Sequence, residues 1–283
     1  MNNNNTREIC KKKSKYRLAI YLAAYDPYKD LFDIFIEQFK CCWPDCPYPL
    51  IISNMFFEYD GPNTIVIHNG NEKRAVIRKN KALDAVNADY YLGMEEDRIL
   101  TKKVDTKEIE RILDFMDNES IDYYRCNSST FKKKKQDRFP GYDHIYHIPS
   151  SEPYGVCGST VIMSKKLHDY RRANNLDDGY AWEKEALKKA YYSTQKWVPN
   201  YATDDRNLFG IVHCVEKQKW IASSRKKFIQ MGYDIRLEDR EVQTLPEAIY
   251  MNVKDLGKRI PIKYRHVIKS LTKKFGFKFV TDY

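Results

Sequence analysis

The stretch that most limits the fold is "YRLAIYLAAYDPY", residues 16–28. Leu18 to Ala24 is a near-continuous apolar run, far short of the ~20 residues a membrane span needs. It lacks the alternation of a strand with one wet face, so it predicts a strand covered on both sides, as in a parallel sheet. Parallel strands need a crossover, and an amphipathic helix follows directly. In "KDLFDIFIEQFKCCW", Leu31, Phe32, Ile34, Phe35 and Phe39 make a wide apolar face. "PYPLIISN" and "NTIVIHNG" then read as strands, "EKRAVIRKNKALDAV" as a helix and "ADYYLGM" as a strand. "DTKEIERILDFMDN" reads as a helix capped by Asp105, and "IDYYRCN" as a further strand. This alternation is the rhythm of an α/β domain.

A charged, turn-rich loop over 131–142 separates this half from a more mixed second half. There the pattern predicts a strand at "GVCGSTVIMS", a helix from Lys165, another from about Ala181, a strand at "LFGIVHCV" and a helix after Trp220. No internal repeat and no long linker divides the chain. The expected organisation is a polar leader over 1–15, one domain over 16–250 and a basic helical extension over 251–283.

The hydrophobic fraction of 42% excludes global disorder. The net charge of +10 favours anionic partners: nucleic acid, acidic lipid or phosphorylated metabolites. "CCWPDC" groups Cys41, Cys42 and Cys46, but no second cluster completes a zinc set, so this stretch reads as a turn with buried thiols. Free thiols fit a reducing compartment. "MNNNNTREICKKKSK" has no apolar h-region, so no secretory signal is expected and the protein is placed on the cytosolic side.

"NADYYLGMEEDRIL" places Glu95, Glu96 and Asp97 at the end of the most strand-like segment, where burial makes charge costly. In open α/β sheets, ligands bind beyond the carboxyl ends of the strands. If this strand neighbours the first, Tyr25 and Asp26 lie beside the acids. If the extended form persists, Glu95 and Asp97 share one side and Glu96 points away. Two carboxylates on one side suit a hard cation, Mg²⁺ or Mn²⁺, which completes its shell with substrate phosphates. A solvated acidic loop accounts for the same spacing.

An apolar strand ending in a short acidic motif resembles the DxD region of GT-A-fold glycosyltransferases. "LAIYLAAYDPYKDLFDIFIEQFKCCWPDCPYPLIISN" is similar to the opening strand and helix of the bacterial members that build capsular polysaccharide and lipopolysaccharide. "NKALDAVNADYYLGMEEDRIL" resembles their approach to the metal motif, "YGVCGSTVIMSKKL" an acceptor-side strand, "AWEKE" a Trp-Glu-x-Glu helix start, and "VHCVEKQKW" a late His-to-Trp segment. The pieces run in matching order over roughly residues 16 to 240. The first acid is Glu95 or Glu96, where Asp is usual.

The resemblance implies a Rossmann-like mixed sheet flanked by helices, with a basic C-terminal helical tail, and transfer of a sugar from a nucleotide sugar, most simply a UDP-sugar, to a glycan or lipid-linked glycan. It implies metal ligands Asp97, Glu95 and His213, with Mn²⁺ or Mg²⁺; a structural histidine accounts for His213 as well, and the same fold has metal-independent members. Glu185 and Glu183 are the candidate bases; two residues apart on a helix, they face different ways. A solvated acid at a helix start fits either one equally well. Tyr25, Asp26, Arg78, Asn80 and Glu96 are the donor-side candidates. Arg125, Asp178 and Trp182 are the acceptor-side ones.

The tail from Ile262 repeats Val267, Ile268, Leu271 and Phe275 near helical spacing among lysines and arginines. It reads either as a helix for an anionic membrane surface, which would make the protein peripheral there, or as a helix packed on the domain with a basic outer face. Two rival functions remain at this level: a non-enzymatic nucleic-acid binder, suggested by charge and by "FGFKFV", and a metal-dependent nucleotidyltransferase. Neither GxGxxG nor GxxxxGK[ST] occurs.

Overall fold

Six strands run in one direction through the sheet that organises this protein. The computed structural model describes residues 16–127, 137–149, 156, 160–174, 197–236, 240–249, 251 and 270–271. β1 (Tyr16–Ala23) lies between β2 (Leu50–Asn54) and β4 (Ala88–Glu95), parallel to both. β3 (Thr64–His68) extends the parallel half beyond β2. On the other side β8 (Val161–Ser164) pairs antiparallel with β4 and with β6 (Tyr123–Arg125). β9 (Tyr201–Asp204) follows parallel to β6, and β7 (Ile145–His147) closes the edge antiparallel. The order is β3-β2-β1-β4-β8-β6-β9-β7. This is a mixed, mostly parallel Rossmann-like sheet flanked by helices, as expected from the sequence. The carboxyl ends of β1, β2, β3, β4, β6 and β9 all lie along one rim.

Alternation explains the two layers of core. Leu18, Ile20 and Leu22 of β1 face one side, where they join Leu92 and Met94 and the apolar faces of α1 (Lys29–Cys42) and α3 (Thr106–Asn118). Ala19 of β1 faces the other side with Tyr91, Ala82 and Leu83, the last two from α2 (Ala75–Asp84). Covered on both faces, β1 needs its continuous apolar run. Asp105 caps α3 by accepting from the Lys107 amide at 2.9 Å, as its sequence position predicts. α4 (Lys165–Ala173) begins at the expected Lys165, and α5 (Ala222–Gln230) follows Trp220.

Two expectations change. "LFGIVHCV" is not one strand. It forms β10 (Val212–His213), antiparallel to the two-residue β5 (Arg98–Ile99), and then β11 (Val215–Glu216), which hairpins with β12 (Lys219–Trp220). The Cys214 amide between them turns to donate to the Asp97 carbonyl at 2.8 Å. Secondly, β7 and β9 are strands the sequence pattern does not announce. Among the described residues no helix is long and apolar enough to cross a membrane. The leader over 1–15, the helix expected from Ala181 and nearly all of the basic extension lie outside the described residues.

Candidate functional site

Register decides what meets at the rim. Ala23 is paired with Glu95, so the chain leaving β1 at Ala24, Tyr25 and Asp26 passes directly beside the chain leaving β4. The extended form stops at Glu95, and Glu96 and Asp97 make a tight turn into β5. The expected same-side pairing of Glu95 with Asp97 is therefore corrected: a turn breaks the two-residue alternation on which it depended.

Each acid has a different fate. Glu95 lies on the α2 side of the sheet, and its Oε2 accepts from Arg98 Nε at 2.7 Å. Burial raises its carboxyl above the ordinary range, Arg98 opposes the rise and Asp97 adds to it. Glu96 is buried, and its Oε1 accepts from the Tyr25 amide at 3.1 Å. Burial pushes its carboxyl up to about 8, although its hydrogen bonds to backbone amides favour the ionised form. Glu96 thus ties the end of β1 to the acidic turn. Asp97 points to His213, with Oδ2 and Nε2 3.5 Å apart and both side chains partly open to solvent. β10 brings His213 there, because His213 pairs with Arg98. Asp97 and His213 are 116 residues apart in sequence and adjacent in space.

Among the described residues no group of three or more His, Cys, Asp or Glu side chains is arranged to hold a metal ion. The Asp97–His213 pair offers one carboxylate and one imidazole. That mixed oxygen–nitrogen donor set fits Mn²⁺ better than Mg²⁺, with the other positions left to phosphate oxygens and water.

Of the donor-side candidates, Tyr25 and Asp26 leave β1 at this rim. Tyr25 is 42% exposed and sits edge-on to Tyr28, with ring centroids 5.8 Å apart. Both carboxylate oxygens of Asp26 accept backbone amides across the rim, from Met55 at 2.8 Å and Phe56 at 3.0 Å. Asp26 thereby fixes the loop leaving β2. That loop presents Phe56, 57% exposed, which the sequence reading did not single out. The only signal was the aromatic pair Phe56–Phe57 directly after a strand. Arg78 on α2 has a buried Nε with no hydrogen-bond partner among the described residues. Asn80 lies on the same helix.

Further along the rim, Arg125 ends β6 and donates from Nε to Asn127 Oδ1 at 3.0 Å. Asp204 ends β9, fully buried. It accepts from the Tyr124 hydroxyl at 2.6 Å and from Arg206 Nη2 at 2.6 Å, while Arg206 Nη1 reaches Glu108 at 2.7 Å. Glu183, Glu185, Asp178 and Trp182 lie outside the described residues.

One glycine is required on the approach to β10. Gly210 has φ +58, and a Cβ there would stand 2.7 Å from the Lys102 Cβ. Gly210→Ala is expected to destabilise the fold by about 1–3 kcal/mol, measurable by urea denaturation, since it adds backbone strain to a clash. A change below about 0.5 kcal/mol would show that the 209–211 turn adapts freely.

No protein-family model matches the chain, and no curated protein matches it. Among solved structures it is similar to the crystal structure of S. aureus TarS 1–349, at 13% identity and a TM-score of 0.45, over 67% of this chain and 58% of that one. The same TarS segment in complex with UDP-GlcNAc matches at 13% identity and a TM-score of 0.41, over 67% and 59%. The longer S. aureus TarS structure matches at 10% identity and a TM-score of 0.45, over 87% of this chain and 44% of that one. The chain spans less than two thirds of the length of each of these TarS chains.

Proposed function

We propose that the protein is a glycosyltransferase that moves a sugar from a nucleotide sugar, a UDP-sugar in the first instance, to a hydroxyl of a glycan or lipid-linked glycan in surface polysaccharide synthesis. The observation that carries this reading is the meeting of Asp97 and His213, 3.5 Å apart, at the carboxyl rim beside the turn held to Tyr25. A rim where strand ends, carboxylates and exposed aromatics converge is where an open α/β sheet binds nucleotides.

Transfer leaves a nucleoside diphosphate that gains negative charge, and a group must receive it. Asp97 and His213 would hold Mn²⁺ or Mg²⁺, which when bound neutralises the diphosphate. The chain's own residues do the rest. Tyr25 and Phe56 offer ring faces to the base, and Asp26 orders their two loops. Glu96, buried, keeps the Tyr25 backbone in place by accepting its amide. Arg78 offers a guanidinium to the donor from α2. Arg125 stands further along the rim for the acceptor, with Asp178 and Trp182 assigned to the same side. Glu185 or Glu183 would take the acceptor proton. The protein would act on the cytosolic face, reaching a lipid-linked acceptor through its basic tail.

Stacking on an aromatic ring contributes ~1–3 kcal/mol per base. Tyr25→Ala and Phe56→Ala are each expected to weaken UDP binding about tenfold by calorimetry, about 1.4 kcal/mol. Loss of less than twofold in both would place the base elsewhere.

Thermal shift with UDP, GDP and CMP, with and without Mn²⁺, tests the proposal, because a ligand bound to the native state raises the melting temperature. A Mn²⁺-dependent rise with one nucleotide is expected. A rise with duplex DNA and with no nucleotide would replace the proposal with nucleic-acid binding.

A further inference from the structure

A single guanidinium joins the two halves of the rim. Arg240 is separated from Asp30 by 210 residues, yet its Nη2 and Nε bind Asp30 Oδ1 and Oδ2 at 2.8 and 3.1 Å. Nη2 also donates to the Pro27 carbonyl at 3.1 Å, and Nη1 donates to the Gln218 carbonyl at 3.0 Å. The guanidinium carbon lies 4.3 Å from the centre of the Tyr28 ring. The side chain is 5% exposed.

These partners belong to two structures. Pro27, Tyr28 and Asp30 form the turn and first helical residues that follow Tyr25 and Asp26. The Tyr28 amide closes this turn on the Tyr25 carbonyl. Gln218 is at the tip of the β11–β12 hairpin, where Lys217 and Gln218 both have positive φ, 50° and 66°. That hairpin begins two residues after His213, and its Trp220 binds the segment after Arg240, donating its amide to Glu241 and accepting from the Gln243 amide. One half carries the aromatic side of the site and the other carries His213.

We infer that Arg240 is a positioning residue: by bonding to Pro27, Asp30, Gln218 and the Tyr28 ring together, it sets the Tyr25 turn and the His213 hairpin at the spacing that a nucleoside diphosphate with its cation must bridge. This rests on the functional reading above. Arg240 does not touch the ligand. Its charge is matched by Asp30, and its fork geometry is the property that lysine lacks, since one ammonium cannot supply two parallel bonds to a carboxylate while reaching two carbonyls in different directions. Burial of Arg240 makes the clamp sensitive to that loss: a lysine ammonium there would satisfy only a part of the bonds to Asp30 and the Pro27 and Gln218 carbonyls.

The test compares Arg240→Lys with Arg17→Lys. Arg17 bonds Glu110, Asp114 and Asp117 from the opposite end of β1, so its loss disturbs a charge network without touching the rim. Hydrogen exchange followed by mass spectrometry reads the clamp directly, whether or not a nucleotide binds. Arg240→Lys is expected to speed exchange about tenfold in both peptides covering 24–30 and 211–221, with the centre of β1 and β4 unchanged. Arg17→Lys is expected to leave both peptides as in the wild type. In parallel, UDP titrated with Mn²⁺ is expected to bind Arg240→Lys about tenfold more weakly and Arg17→Lys within twofold of the wild type. Unchanged exchange in either rim peptide of Arg240→Lys overturns the inference, and so does a UDP affinity within twofold of a wild type that binds. Faster exchange in both peptides together with a wild type that binds no UDP upholds the clamp and defeats only the functional reading.

Discussion

Asp97→Asn is expected to weaken Mn²⁺-supported UDP binding about 100-fold, about 2.7 kcal/mol, while the melting temperature stays within about 2 °C of the wild type. The substitution keeps the size of the side chain and removes its charge. An amide oxygen is a poor ligand for a hard cation beside a diphosphate, and loss of even an outer partner of a metal ligand typically costs 10–100-fold. The fold does not rely on this carboxylate. The side chain meets His213 at 3.5 Å, and the structural bond at this position, from the Cys214 amide, goes to the Asp97 backbone carbonyl, which the variant retains. His213→Gln is expected to act in the same direction and more weakly, because Asp97 supplies the charge. Calorimetry with Mn²⁺ and again with chelator reads both effects. Equal UDP affinity in wild type and Asp97→Asn would remove Asp97 from the site.

Asp204→Ala is expected to have the largest effect on stability, about 3–5 kcal/mol and a fall in melting temperature of roughly 10 °C. Asp204 is fully buried at the end of β9 and satisfies two neighbours at once: the buried Tyr124 hydroxyl at 2.6 Å and the Arg206 guanidinium, whose Nη2 is also at 2.6 Å. Its removal leaves a buried phenol without an acceptor and a cation with only Glu108, 2.7 Å from Nη1. The Arg206 amide, which donates to Asp204 at 2.8 Å, loses its acceptor as well, and each polar group left unsatisfied costs about 1–3 kcal/mol. The Tyr124 phenol, raised well above its usual range by burial and by Asp204, stays protonated and remains a donor in search of a partner. Tyr124→Phe removes one donor and leaves Asp204 with Arg206, so it is expected to cost about 1 kcal/mol. Urea denaturation of the two variants separates the contributions. A loss below 1 kcal/mol for Asp204→Ala would show that water replaces the carboxylate.

The difference between these two aspartates was partly legible in the sequence. Asp97 stands out because it closes an apolar strand, and β1 and β4 are legible for the same reason: strands buried on both faces write a continuous apolar run. Their adjacency, and so the approach of Tyr25 to the acids, follows from ordinary α/β topology. β9 leaves no such mark. "YATD" is four residues long and ends in two polar ones, because Asp204 is buried against the Tyr124 hydroxyl, 80 residues away, and against Arg206, two residues on. The turn at Glu96–Asp97 was hidden as well. Glu96 looks like a solvated acid until the Tyr25 amide is seen bonded to it. Asp26 reads from the sequence as a donor-side candidate; in the structure both of its oxygens accept the Met55 and Phe56 amides, a pairing across the rim that local sequence does not announce. Arg240 was invisible for the same physical reason. Pairings across 210 residues depend on the packed shape of the chain, and local periodicity contains none of it.

The central claim is a place: a cation and a diphosphate bound where β1, β4 and β10 converge. Paramagnetic Mn²⁺ tests that place directly, through the broadening of nearby backbone amide signals in the ¹⁵N-labelled protein with UDP present. The account predicts selective loss of the signals from residues 24–26, 95–98 and 212–214, reversed by chelator, with Asp89 at the far end of β4 unaffected, roughly 20 Å away at ~3.3 Å per residue. Broadening centred on the Asp89 end of the sheet, or none at all with UDP and Mn²⁺ in excess, would contradict it.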